Sequence, residues 1–349
     1  MTAQHIMTYA QDLSGGGVER AQLRLARAWI AAGRRVTLVI GDPGGPLAAE
    51  LPDGIELVRL DDPSYRAQFR LPGIVTRLSP DVIFCAGSFY TSIAAWTRLR
   101  LGRRCPPIVA KLSNAIERGD HGRIVDAGHR AWLRLHGRFL DHLVAMTPAT
   151  ATVAARAMGM AGRTSVIPNP PAPRVPDAAP VALPAGRYIL GVGRLVLQKR
   201  WDRLIDALPA LPADVALVIL GEGELRPALE RQVAARNLAG RVHLPGHAGD
   251  PLPAMQGAAL VALTSTYEGV PGVLREALSV GTPVVTTESS PSIAEIVTAP
   301  ALGSVIGQDD AAGLAAALTD WLSRPRPAAV PQPGSDSAAR YLALFDGLI

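Results

Sequence analysis

Short apolar runs rich in β-branched residues alternate along the chain with longer stretches whose apolar positions recur at helical spacing. In the first half the runs are HIMTYA (5–10), RVTLVIG (35–41), GIELVRL (54–60), DVIFCA (81–86), PIVAKL (107–112), HLVAM (142–146) and TSVIP (164–168). Helical patterns lie between several of them, at 18–32, 124–139 and 148–158. Strands that alternate with helices predict a parallel sheet with crossover connections.

The periodicity then breaks. Residues 168–186 (PNPPAPRVPDAAPVALPAG) are dense in proline, which fixes φ and removes a backbone donor, so they read as a linker. A second series follows, with strands RYILGVG (187–193), VALVILG (215–221), RVHLPG (241–246), ALVALTS (259–265), TPVVTT (282–287) and LGSVIG (302–307). Helical patterns at 202–208, 225–237, 272–280 and 310–322 separate them, and another proline-rich stretch precedes a final amphipathic helix at 335–348. The expected organisation is a first domain at 1–167, the linker at 168–186, a second domain at 187–323, and a tail at 324–349 whose helix returns to the first domain. The fold class is α/β, with two Rossmann-like, doubly wound domains facing across a cleft. Ligands of such sheets bind beyond the carboxyl ends of the strands.

Composition narrows the class. The 349 residues suffice for two cores, and no apolar run approaches the roughly 20 residues of a membrane-spanning helix. The start of the chain lacks the basic and apolar regions of a signal peptide, which predicts a cytoplasmic protein. Cys85 and Cys105 sit in apolar contexts, without metal-ligand spacing or a disulfide framework. The net charge of +5 is uneven: residues 1–175 carry +9 and the remainder −4. A basic half suits a phosphorylated substrate or an anionic membrane surface, placing the protein peripherally on the inner face of the cell membrane. Sparse aromatics without basic interleaving argue against nucleic acid.

Three segments can carry chemistry. Ser14-Gly15-Gly16-Gly17-Val18-Glu19-Arg20 joins the first strand to the first helix, where glycines let backbone N–H groups approach an anion. It lacks the third glycine of the dinucleotide fingerprint, which disfavours an oxidoreductase. Gly191-Val192-Gly193-Arg194 ends the first strand of the second series, with Lys199 five residues on. A guanidinium fork and a point charge both suit phosphate oxygens. As loop cations they are expected to matter for turnover far more than for stability. Glu268-Gly269-Val270-Pro271 opens a helix that carries Glu276, and carboxylates accept from vicinal sugar hydroxyls.

These segments resemble the GT-B glycosyltransferases of the group 1 and family 4 type, which include retaining mannosyl- and glucosyltransferases. The resemblance rests on GRLVLQKRWD (193–202), VILGEGE (218–224), STYEGVPGVLREALSVGTPVV (265–285), VIPN (166–169) and the Gly16-Gly17-Val18-Glu19-Arg20 loop. It implies transfer of a sugar from a nucleotide-sugar donor, UDP- or GDP-linked, to a saccharide or lipid-linked acceptor with retention of anomeric configuration. It implies no cofactor, no metal, and a place in cell-surface polysaccharide or lipopolysaccharide synthesis. Arg194, Lys199 and Glu268 would be catalytic: the two cations on the donor pyrophosphate, the carboxylate on the donor sugar. Gly16, Gly17, Gly193, Gly269 and Val270 would line the donor site, and Glu276 would bind the ribose. Many members place a histidine after the fifth strand. Here Asn114 stands there, with His121 seven residues further as the alternative acceptor-side group. A nucleotide-sugar epimerase or a non-catalytic nucleotide-sugar-binding protein would use the same architecture.

Overall fold

Among the described residues, thirteen parallel strands form two sheets. The first contains β1 (His5–Asp12), β2 (Arg35–Asp42), β3 (Glu56–Arg59), β4 (Val82–Cys85), β5 (Ile108–Lys111), β6 (His142–Ala145) and β7 (Thr164–Val166), in the order β3-β2-β1-β4-β5-β6-β7. The second contains β8 (Tyr188–Val192), β9 (Ala216–Leu220), β10 (Val242–Gly246), β11 (Leu260–Leu263), β12 (Val284–Thr287) and β13 (Gly303–Ile306), in the order β10-β9-β8-β11-β12-β13. The structure is a computed structural model that describes residues 1–14, 16–116, 123–172 and 179–349. It divides into unit 1, Met1–Pro170 with Pro333–Ile349, and unit 2, Pro171–Gln332.

In unit 1 the helices are α1 (Gly17–Ala31), α2 (Leu71–Leu78), α3 (Thr91–Leu101), α4 (Arg123–Leu135) and α5 (Pro148–Ala157). Successive strand residues face opposite sides of the sheet. Met7, Ile83, Ile108 and Leu143 join the core that holds α2 and α3, whereas Ile6, Val82, Phe84 and Val109 join the core under α1. Unit 2 carries α6 (Trp201–Ala207), α7 (Arg226–Ala235), α8 (Leu252–Gly257), α9 (Gly272–Ser279), α10 (Ile293–Ile296) and α11 (Ala311–Trp321) around one continuous core.

The last helix, α12 (Ser337–Asp346), packs in unit 1. Trp29 of α1 meets Phe84 at 5.2 Å and Phe345 at 5.3 Å, both edge-on, and Tyr341 meets Phe84 at 5.3 Å. Asp346 accepts from Ala3 N and from Arg34. The proline-rich stretch before it lies along unit 2, where the Arg326 guanidinium donates to the carbonyls of Ala258 and Gly281 and to the Thr282 hydroxyl. Among the described residues no helix is long and apolar enough to cross a membrane.

Candidate functional site

In each sheet the strand order reverses at one place, and there adjacent loops diverge and leave room for a ligand. In unit 2 that place lies between β8 and β11. The loop after β8 carries Gly193, Arg194 and Lys199; the loop after β11 carries Glu268, Gly269 and Val270. The backbone ties these loops together. Thr266 N donates to Gln198 O (2.8 Å), Gln198 Nε2 to Tyr267 O (2.7 Å), and Thr264 Oγ1 to Arg200 O (2.9 Å).

Lys199 Nζ then meets Glu268 Oε1 at 2.6 Å, with side chains only 15% and 11% exposed. Glu268 N donates to Ser289 O (2.7 Å), which holds the carboxylate's backbone against the loop after β12. The sequence-based picture of Lys199 as a solvated loop cation is therefore revised: it is half of a shielded ion pair. Arg194 fits that picture, since it is exposed. Its carbonyl accepts from Trp201 Nε1 (3.0 Å), which fixes the backbone from which the guanidinium extends. Glu276 lies half-buried in α9, and Pro271 is the N-cap residue of that helix.

The glycines here have a packing cause. A Cβ at Gly221 would overlap the Gly193 carbonyl oxygen, and its φ of +147° suits glycine. Leu195 N donates to Glu222 O (2.8 Å) and Gly193 N to Leu220 O (2.9 Å). Gly221-Glu222-Gly223 thus lets the β8 and β9 loops touch, while on the other side Lys199 reaches Glu268 in the loop after β11. Ser265 and Ser289, in the loops beside Glu268, bury hydroxyls that have no partner among the described residues. Buried polar groups rarely stay unpaired, so both are open to further hydrogen bonding.

In unit 1 the reversal lies between β1 and β4. Gly16 caps α1 with extended backbone, and a Cβ there would collide with the Glu19 carboxylate, which folds back over it. Gly17 is exposed with open space where a side chain would stand. The neighbouring loops are locked by reciprocal bonds, Ser88 N to Ser113 Oγ (3.1 Å) and Ser113 N to Ser88 Oγ (3.2 Å). Asn114 follows directly, half-buried at a bend. His121 lies outside the described residues. His129, His136 and His142 are each hydrogen-bonded within the unit, to Ile116 O, to helical carbonyls and to Ser165 Oγ.

One polar residue near this edge escaped the sequence reading. Lys111, at the end of β5, is 1% exposed and donates to Asn169 Oδ1 (3.1 Å). Burial pushes its ammonium down to about 8, and the charge of Glu19 opposes the shift. The available signal was a lysine ending an apolar strand in a chain that otherwise uses arginine almost throughout.

Two family descriptions match the chain. "Glycosyltransferase Family 4" covers residues 15–171 and "Glycosyl transferases group 1" covers residues 181–332. The lipopolysaccharide core biosynthesis glycosyltransferase LpsE of Rhizobium meliloti is 33% identical over 114 residues, which are 32% of this chain and 33% of that protein. The N-acetylgalactosamine-N,N'-diacetylbacillosaminyl-diphospho-undecaprenol 4-alpha-N-acetylgalactosaminyltransferase of Campylobacter jejuni is 34% identical over 124 residues, 36% of this chain and 34% of that protein. The matches thus span about a third of the length of these curated relatives. Among solved structures, HepE of Anabaena in complex with UDP-glucose shares the fold with a TM-score of 0.69 at 18% identity, covering 98% of this chain and 97% of its own. Both matched families are glycosyltransferases, which disfavours the epimerase reading. With two doubly wound parallel sheets, a family description on each half and glycosyltransferases as its structural neighbours, the chain belongs to the GT-B glycosyltransferases of the group 1 and family 4 type.

Proposed function

We propose that the chain transfers a glycosyl group from a nucleotide-sugar donor to a saccharide or lipid-linked acceptor, with retention of anomeric configuration, in the synthesis of a cell-surface polysaccharide or lipopolysaccharide. The observation that carries this reading is the Lys199–Glu268 pair at the strand-order reversal of unit 2, with the exposed guanidinium of Arg194 in the same loop as Lys199. Cations suit a diphosphate, a carboxylate suits sugar hydroxyls, and this pair holds one of each in a fixed relation. The relatives support the substrate classes, being named for lipopolysaccharide core and for a diphospho-undecaprenol-linked acceptor. The UDP-glucose complex of HepE supports a UDP-sugar, with a GDP-sugar as the other donor class.

In the proposed reaction the bond between the anomeric carbon and the diphosphate oxygen breaks, and negative charge grows on that oxygen. Arg194 and Lys199 stabilise it, the electrostatic role that a metal ion fills in other transferases. Glu268 orients the sugar through its hydroxyls, and Glu276 takes the ribose. The acceptor hydroxyl attacks from the face the diphosphate leaves, and its proton passes to the departing phosphate oxygen. Unit 1 binds the acceptor, with Asn114 as a hydrogen-bonding group and, as an anion site, the start of α1 at Gly16 and Gly17, over which the Glu19 carboxylate folds in this structure. The work takes place at the inner face of the cell membrane, where a lipid-linked acceptor is available.

A panel of UDP- and GDP-sugars tested for thermal stabilisation identifies the donor, because a bound donor raises stability by mass action. Proton NMR of the product then reads the anomeric configuration. Absence of stabilisation by every nucleotide sugar, or a product of inverted configuration, overturns the proposal.

A further inference from the structure

The α2–α3 side of unit 1 breaks two ordinary habits of a protein surface. The first concerns charge. Between Pro63 and Pro107 the sequence holds seven arginines and a single acidic residue, Asp81. Asp81 is occupied, accepting from the backbone N–H groups of Gln4 and His5 at 2.8 Å. Arg98 is used internally, paired with Asp141. Arg66, Arg77, Arg100, Arg103 and Arg104 are exposed, and none pairs with a carboxylate among the described residues. Unpaired like charges gathered on one side repel one another, a cost that an anionic partner would remove.

The second concerns apolar exposure. Leu99 is 75% exposed, Phe89 60% and Phe69 38%, all on this side. The aromatic rings are braced from behind rather than loose. Tyr65 stands edge-on to Phe89 at 4.9 Å and to Phe69 at 6.1 Å, its hydroxyl donates to Phe89 O (2.9 Å), and Trp96 Nε1 donates to Phe69 O (3.1 Å). On α3 the half-buried Ser92 and Trp96 are four residues apart and the exposed Leu99 and Arg100 follow Trp96 by three and four, so the four share one stripe that mixes apolar bulk with charge. The Arg100 guanidinium lies over the Trp96 ring at 5.3 Å. Beside this stripe is an open cleft of about 460 Å³ whose lining includes Thr76, Ser79, Arg100 and Arg104, and no acidic residue. Two guanidinium groups and two hydroxyls match the oxygens of a phosphodiester headgroup.

We propose that this face of unit 1 docks on an anionic phospholipid bilayer. Leu99, Phe89 and Phe69 enter the apolar boundary, Arg66, Arg103 and Arg104 lie among the headgroups, and the cleft seats a headgroup phosphate between Arg100 and Arg104. The occupant is chosen by charge complementarity together with apolar exposure: a soluble anion would explain the arginines but leave the three apolar side chains unexplained, whereas a bilayer engages both. The proposal deepens the membrane placement given above by naming its surface. Its test needs no transfer activity, so the docking face and the transfer reading fail separately.

The experiment is flotation of the full chain with vesicles of phosphatidylglycerol and phosphatidylethanolamine, against vesicles of phosphatidylcholine alone, at low and moderate salt. Binding is expected only to the anionic vesicles and weaker at the higher salt. Leu99→Asp should lower the bound fraction roughly tenfold or more, the worth of one leucine side chain moved out of water. Arg104→Gln should lower it about fivefold, and the loss should shrink as salt rises. Leu183→Asp, an exposed leucine of unit 2, should bind as the parent does. Unchanged melting temperatures show that the variants are folded, as the exposure of all three positions predicts. Equal binding to both vesicle types, or parent-like binding by both Leu99→Asp and Arg104→Gln, overturns the proposal. So does a dimer in solution that Leu99→Asp dissolves while the parent ignores vesicles, because the face would then belong to a second copy of the chain.

Discussion

Lys199→Ala removes one half of a shielded ion pair, and its cost can be worked from the geometry. At 2.6 Å and an effective dielectric constant of about 20, the gross attraction is roughly 6 kcal/mol. Most of that offsets the desolvation of the two charges, so the pair adds little net stability over two apolar groups. Removing a single partner is different, because Glu268, 9% exposed, keeps a carboxylate with its counter-ion gone. Full burial would make this about 3–5 kcal/mol; some solvent reaches both side chains, so about 2–3 kcal/mol is expected. For a unit of this size that is roughly 5–10 °C in melting temperature. Lys199→Met combined with Glu268→Gln removes both charges while keeping the volumes, and should melt within about 1 kcal/mol of the parent. Turnover should stay depressed at least a hundredfold in the double variant, since neither the cation nor the carboxylate remains. Urea denaturation and sugar transfer measured on the same preparations check both halves. A parent-like melt for Lys199→Ala would refute the pair's structural role, and recovered turnover in the double variant would refute its chemical one.

Arg194→Ala should melt within about 0.5 kcal/mol of the parent yet lose about a hundredfold in turnover, with Arg194→Lys recovering only part because a point charge cannot replace the fork. Arg324→Ala, which loses only an exposed pair with Asp320 and a stacking contact on Trp321, is the matched control and should keep both properties in transfer and melting assays. Lys111 predicts a pH dependence: below about pH 8 it is charged in the folded and unfolded states alike and its burial penalty is complete. Between about 8 and its ordinary 10.5 the folded state releases the proton first, so unfolding free energy should rise with pH, by up to roughly 3 kcal/mol, and urea titrations of Lys111→Met should lack that rise. Phe345→Ala should cost about 3–5 kcal/mol of unit 1 stability in the same denaturation assay, because it empties the ring cluster that holds α12 on α1. Gly221→Ala should lower the melting temperature of unit 2 as well, since its methyl group would overlap the Gly193 carbonyl.

Strands and glycine-rich turns were legible along the chain because their causes are local. An apolar run bounded by glycine and proline has few states open to it, and all thirteen strands fall on such runs. α1, α5, α7 and α11 follow apolar periodicity in the same way. α3 did not announce itself, for its outward stripe carries Trp96 and Leu99 where a surface helix usually shows polar residues, and this erases the contrast a periodicity reading needs. The residue types suited to a diphosphate and a sugar were equally readable in Arg194, Lys199, Glu268 and Glu276. Their environments were not. Lys199 and Glu268 are 69 positions apart, and they meet only because β11 inserts beside β8 while β9 and β10 lie on the other side. The order of strands in a sheet is settled by packing among distant segments, so no local pattern distinguishes a paired lysine from a solvated one. Lys111 shows the same limit: its residue type reads as a surface cation, and only the closure of α1 and the Asn169 segment over the end of β5 turns it into a buried one.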